Sequence, residues 1–124
     1  MNYRIGIDSI EIARVKKACE NEHFLERVYG KKEIEYFRKH NFSPETMAGA
    51  FAAKEAFSKA IGTGLTGFKL NEVEILHEKS GRPYYNLSGS ASDLAEGMEF
   101  DLSITHTKEV ATAVTIASVK EELT

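Results

Sequence analysis

Asp8, Glu55, Lys59 and His106 are the side chains of this sequence whose types could act together on a phosphate. Mg²⁺ takes one or two protein carboxylates and completes its octahedron with waters and substrate phosphate oxygens, so Asp8 and Glu55 would be a sufficient donor set. Lys59, one helical turn from Glu55, would add positive charge to the same oxygens, and phosphoryl transfer depends mainly on such positioning and neutralisation. His106 stands among Ser103, Thr105, Thr107 and Lys108, whose hydroxyls and ammonium are donors that phosphate oxygens accept from. Each residue also has a plainer reading. Glu55 and Lys59 have the spacing of an exposed helical ion pair worth about 0.2–0.5 kcal/mol. An Asp at a strand end before a serine is a common helix cap, and a single His ending a strand is commonly structural. Spacing does not establish that residues 8 and 55 meet.

The elements that must position these groups can be read from periodicity and punctuation. Tyr3 to Asp8 alternates as a short strand, which puts Asp8 at its end. Ser9 can then cap a helix to Glu20, with Ile12, Val15 and Cys19 on the inner side and Arg14 and Lys17 on the wet side. Phe24 to His40 reads as helix broken at Gly30. The clearest helix runs from Pro44 to Ile61, opened by Ser43-Pro44-Glu45 and closed by Gly62-Thr63-Gly64. It would carry the chemistry. Val73–His77 and Pro83–Leu87 flank Lys79-Ser80-Gly81-Arg82 as a hairpin, Ser88 to Gly97 is a loop or short helix, and Phe100–His106 and Val110–Val119 form a second hairpin. Helices first and antiparallel strands later predict an α+β fold with the helices packed on one face of a mainly antiparallel sheet.

At 124 residues the chain suits a single domain spanning 1–124. Hydrophobic residues at 42% and charged residues at 28% describe an ordinary globular protein. No stretch approaches the roughly 20 apolar residues of a membrane span, and the start MNYRIGIDSIEI lacks a secretion signal, so the cytoplasm is the expected location. A lone Cys19 excludes an internal disulfide and argues against structural zinc. His23, His40 and His77 lack polar surroundings and read as surface residues. The net charge of −3 argues against general nucleic-acid binding, while Arg14, Lys16, Lys17, Arg27, Lys31 and Lys32 could present a local basic surface to an acidic protein.

Taken in order, Gly6-Ile7-Asp8 with Glu11-Ile12-Ala13-Arg14, then Phe51-Ala52-Ala53-Lys54-Glu55-Ala56-Phe57-Ser58-Lys59-Ala60 with Gly62-Thr63-Gly64, then Ser103-Ile104-Thr105-His106-Thr107, strongly resemble the holo-[acyl-carrier-protein] synthase family. Gly81-Arg82-Pro83 fits that family's Gly-basic-Pro turn. These are the small bacterial 4′-phosphopantetheinyl transferases. The resemblance implies transfer of the 4′-phosphopantetheine arm of coenzyme A to a serine of apo acyl carrier protein, releasing adenosine 3′,5′-bisphosphate, in fatty-acid biosynthesis. It implies Asp8 and Glu55 as Mg²⁺ ligands and Lys59 as a phosphate contact, with these three as the catalytic group. It further implies Gly62, Gly64, His106 and Thr107 at the coenzyme, Arg14 on the helix that docks the carrier, and a homotrimer with sites between subunits. The residue that takes the serine proton, whether Glu55, Asp8 or a metal-associated water, is left unassigned.

One position departs from the family's pattern. Ala50 stands where relatives usually carry an arginine that holds coenzyme phosphate, so weaker coenzyme binding is expected, with Lys54 or a basic residue of another subunit as the substitute. Two other functions fit parts of the sequence: a non-catalytic coenzyme-binding module, or an adaptor for acidic proteins using Arg14, Lys16 and Lys17.

Overall fold

A computed structural model describes residues 2–120. Strand β1 (Tyr3–Glu11) pairs antiparallel with β5 (Val110–Val119), which pairs on its other side with β4 (Met98–His106), giving the order β1-β5-β4. Strands β2 (Val73–His77) and β3 (Pro83–Leu87) form a separate antiparallel hairpin. Helices α1 (Ile12–Ala18), α2 (Glu22–Val28), α3 (Lys31–Lys39), α4 (Pro44–Ile61) and α5 (Gly89–Leu94) complete the described elements, with one 3-10 turn at Leu70–Glu72. The fold is α+β with antiparallel strands, as expected, but the strands divide between two sheets.

Helix α4 is built as its sequence predicts. Ser43 Oγ accepts from Thr46 N–H, Pro44 takes the first helical position, and Gly62 ends the helix at φ 80°, a left-handed conformation that suits glycine. Alanines make the helix thin enough to lie close on the three-stranded sheet. Ala48, Ala52, Ala53, Ala56 and Ala60 are buried against Ala111 and Ala113 of β5 and their surroundings. Gly6 in β1 permits the closest approach: a Cβ there would overlap the carbonyl oxygen of Ala56 and sit 2.9 Å from Ala60 N. Phe57, next round the helix, packs against Phe68, Tyr85 of the hairpin and Phe100 of β4 with ring centroids 5.2–5.6 Å away.

The entry to α1 differs from expectation. Strand β1 continues past Asp8 to Glu11, because Ser9, Ile10 and Glu11 keep pairing with Thr112, Ala111 and Val110. Ser9 Oγ shares a hydrogen bond of 2.7 Å with Thr112 Oγ1, so it caps nothing, and neither does Asp8. Helix α1 starts only at Ile12, with Glu11 as an N-cap that makes no side-chain bond. The outer face of the three-stranded sheet carries an apolar patch along β1: Tyr3, Ile5 and Ile7 of β1 and Ile116 of β5 are all exposed, and Ile5 lies directly opposite Ile116, while the β4 side of that face is polar.

Candidate functional site

The close seat of β1 on α4 brings the acidic residues together. Asp8 follows Gly6 on the inward side of β1, where alternation turns it toward α4. Lys59 Nζ lies 3.0 Å from Asp8 Oδ1 and donates to Ile7 O at 2.9 Å. The expected i,i+4 ion pair does not form: among the described residues Lys59 is paired with Asp8 and not with Glu55. Glu55 is half-buried at the same place. Its carboxyl is held above the usual range, first by burial and then by the negative charge of Asp8, while Lys59 pulls it down. Two carboxylates thus face one ammonium.

That imbalance is the observation on which a metal can be tested. An oxygen donor pair with surplus negative charge, partly open to solvent, fits a hard divalent cation. Among the described residues no cluster of three or more His, Cys, Asp or Glu forms a ready-made cage, so remaining ligands would be water or substrate oxygens.

Gly62 and Gly64 follow Lys59 in the exposed turn after α4. Both have positive φ, 80° and 59°, and nothing stands within 4 Å of where a Cβ would be, so the turn leaves open space beside the lysine.

His106 and Thr107 are placed elsewhere. Strand β4 is the opposite edge of the sheet from β1, and His106 aligns with Ala111, which aligns with Ile10. At about 4.8 Å per strand, two strand spacings put the His106 backbone roughly 10 Å from β1. His106 Nδ1 lies 3.0 Å from Thr107 O; a carbonyl only accepts, so Nδ1 carries the hydrogen in this contact and Nε2 is left free of it. Thr107 Oγ1 accepts from Glu109 N–H and Val110 N–H and so ties the β4–β5 turn. Ser103 and Thr105 do not line the His106 side, because alternation along β4 points them to the other face. His106 instead borders a groove of about 190 Å³ with Tyr36, Glu45, Ala50, His77 and Pro83.

Of three further expectations, one holds and two do not. Arg14 is exposed on α1, as predicted, and stands beside an apolar groove lined by Ile10, Val15, Ala18, Phe24 and Phe51. Lys54 cannot substitute for a phosphate anchor at Ala50: it is fully buried and bonded to Glu33, Leu70 O and Val73 O. His77 is not a plain surface residue but half-buried, stacked on Tyr36 with centroids 4.4 Å apart. No local sequence signal marks the groove beside Arg14, because it forms where Phe24 of α2 and Phe51, in the middle of α4, meet Ile10 of β1 and α1 in space.

Comparisons with known proteins agree with this geometry. The 4′-phosphopantetheinyl transferase superfamily matches residues 4–115. A holo-[acyl-carrier-protein] synthase of Clostridium tetani is 45% identical over 116 residues, 90% of this chain and 92% of the relative. The structure of the Neisseria meningitidis holo-[acyl-carrier-protein] synthase superposes with a TM-score of 0.86 at 28% identity, covering 95% of this chain and 99% of that one. The Bacillus anthracis enzyme, solved in complex with CoA (3′,5′-ADP), gives a TM-score of 0.80 at 32% identity over 94% of this chain and 96% of that one. With the match extending over most of its length, this chain belongs to the holo-[acyl-carrier-protein] synthase family.

Proposed function

We propose that this protein transfers the 4′-phosphopantetheine arm of coenzyme A to a serine of apo acyl carrier protein, in a Mg²⁺-dependent reaction that serves fatty-acid biosynthesis in the cytoplasm. The observation that carries the reading is the convergence of Asp8 of β1 with Glu55 and Lys59 of α4, with more carboxylate than ammonium, where Gly6 seats the strand on the helix. A solved relative in complex with CoA supports the coenzyme as donor.

In the reaction the serine oxygen forms a bond to the phosphorus bearing the pantetheine arm. The bond from that phosphorus to the bridging pyrophosphate oxygen breaks, and adenosine 3′,5′-bisphosphate leaves. Asp8 and Glu55 would hold Mg²⁺, which when bound supplies positive charge to the pyrophosphate oxygens. Lys59 adds a second positive charge from the same face, and the open turn at Gly62 and Gly64 leaves room for the coenzyme beside it. The serine proton needs an acceptor, and Glu55 and Asp8 are the two carboxylates at hand. Arg14 would attract the acidic carrier, with the neighbouring apolar groove receiving a nonpolar side chain of it.

The remaining residues support a site completed by a second copy. His106 and Thr107 lie on the sheet edge opposite Asp8, and the exposed Tyr3, Ile5, Ile7 and Ile116 form an apolar face suited to self-association. On this reading each chain is one domain, and a homotrimer brings His106 of one copy to the coenzyme bound at Asp8 of the next.

The direct test mixes the protein with apo acyl carrier protein, coenzyme A and Mg²⁺ and weighs the carrier. A gain of one phosphopantetheine, abolished by EDTA and restored by Mg²⁺, is expected; no gain under any metal condition would sink the reading.

A further inference from the structure

The rotation of α4 about its own axis decides whether Glu55 and Lys59 meet Asp8. On the sheet side Gly6 lets β1 press against Ala56 and Ala60. On the hairpin side Lys54 runs from the helix into a closed polar node. Its ammonium donates to Glu33 Oε1 at 2.7 Å, to Leu70 O at 3.0 Å and to Val73 O at 2.5 Å, which uses all three of its protons. Glu33 is equally engaged: Oε1 accepts from Gly30 N–H and Oε2 from Ile75 N–H, each at 3.0 Å. Both side chains are wholly buried. The Tyr29 ring lies 5.3 Å from the ammonium, and Tyr85 O–H reaches Ala53 O, one residue before Lys54, at 2.7 Å.

Apolar packing alone would hold α4 less directionally. The glycine and alanine contacts set how closely α4 lies on β1, and three directional hydrogen bonds on the Lys54 ammonium add a constraint on which way residue 54 faces. With residue 54 aimed at the node, Glu55 follows about 100° round the helix and Lys59 one turn further on the same face. That face is the one turned to β1.

We propose that Lys54 is a positioning residue, and that the Glu33–Lys54 node sets the rotation of α4 that presents Glu55 and Lys59 to Asp8. The inference rests on reading Asp8 and Glu55 as the cation-binding pair. Lys54 itself touches neither coenzyme nor metal.

The informative variant is the double substitution Glu33→Leu with Lys54→Met, which removes both charges and roughly keeps the volume, so that no lone charge is left in the core. Three readouts are taken on purified protein: the thermal melt, the kinetics of carrier modification, and Mn²⁺ binding in the absence of coenzyme, followed by the electron paramagnetic resonance signal of the free ion. The double variant is expected to melt cooperatively with its KM for coenzyme A changed by no more than about twofold. Its kcat should fall about tenfold or more, as a displaced catalytic group predicts, and its Mn²⁺ affinity by about tenfold. A folded double variant with wild-type kcat and wild-type Mn²⁺ affinity overturns the proposal and leaves the node a stabilising element only. Should the double variant not fold, Glu33→Gln, which keeps a carbonyl for Lys54 but removes the charge, gives the same comparison with about a threefold loss in both readouts, and no loss overturns the proposal. If the wild-type protein itself neither binds Mn²⁺ nor modifies the carrier, the acidic-site reading fails and the inference falls with it.

Discussion

Helix α4 carries two lysines that each hold a carboxylate, and they do so under opposite conditions. Lys54 meets Glu33 at 2.7 Å with both side chains fully enclosed; Lys59 meets Asp8 at 3.0 Å with 53% and 21% of the side chains exposed. Burial raises the Glu33 carboxyl and lowers the Lys54 ammonium, since both charged forms are costly away from water, and each partner opposes the shift of the other. The buried pair survives because all three ammonium protons and both carboxylate oxygens are hydrogen-bonded. At Asp8 the valences are not used up: a second carboxylate, Glu55, stands nearby and the lysine is half in solvent. A saturated pair can only hold the fold, while an unsaturated one can take a ligand.

The comparison breaks most sharply at Lys54. Lys54→Met leaves the Glu33 carboxylate in the core without its partner, and such losses cost about 3–5 kcal/mol. Chemical denaturation should show that loss, and a variant within experimental error of wild type would mean the pair is not a structural element. Asp8→Asn and Glu55→Gln are expected to do the reverse. Each should reduce carrier modification about 10²–10³-fold, the range for losing one group that stabilises developing charge, with the melting temperature nearly unchanged. Equal damage to stability and rate would erase the distinction. Lys59→Met tests the exposed pair more gently: its stability effect should stay within about 1 kcal/mol, as for other exposed ion pairs, while activity still drops.

Most of the secondary structure was readable because local rules suffice for it. The Ser43-Pro44-Glu45 start and Gly62 end of α4 are signals carried by neighbouring residues, and so are the two hairpins. The extension of β1 to Glu11 was not readable, because it depends on pairing with Thr112, Ala111 and Val110 at the far end of the chain. The site divided in the same way. Asp8, Glu55 and Lys59 could be named from their types and from family resemblance, but that Lys59 would choose Asp8 over its helical neighbour Glu55 follows from the close approach at Gly6. Lys54 was the hardest case. A lysine in a helix reads as solvent-facing, and its burial is set by Glu33, Leu70 and Val73, none of them local to it.

The smallest effect concerns a group that belongs to neither class of pair. His77 is half-buried, with its ring parallel to Tyr36 within 9° and its Nδ1 enclosed without a hydrogen-bond partner among the described residues. Tyr36 also meets His40, with centroids 4.2 Å apart, and Glu45 of α4 and His106 of β4 border the same groove. Burial, and then the charge of His40, hold the His77 pKa below its ordinary 6.5. The folded protein therefore resists the proton more than the unfolded chain does. Between the two pKa values the unfolded chain binds more protons, so stability is full above about 6.5 and declines as pH falls toward the folded value. His77→Phe keeps a ring on Tyr36 and removes the proton site. Urea unfolding at about pH 7 and about pH 5 should show a smaller acid loss in the variant than in the wild type. An identical loss in both would assign the acid sensitivity to the carboxylates, and would leave the unpartnered imidazole as a packing group no different from the apolar side chains around it.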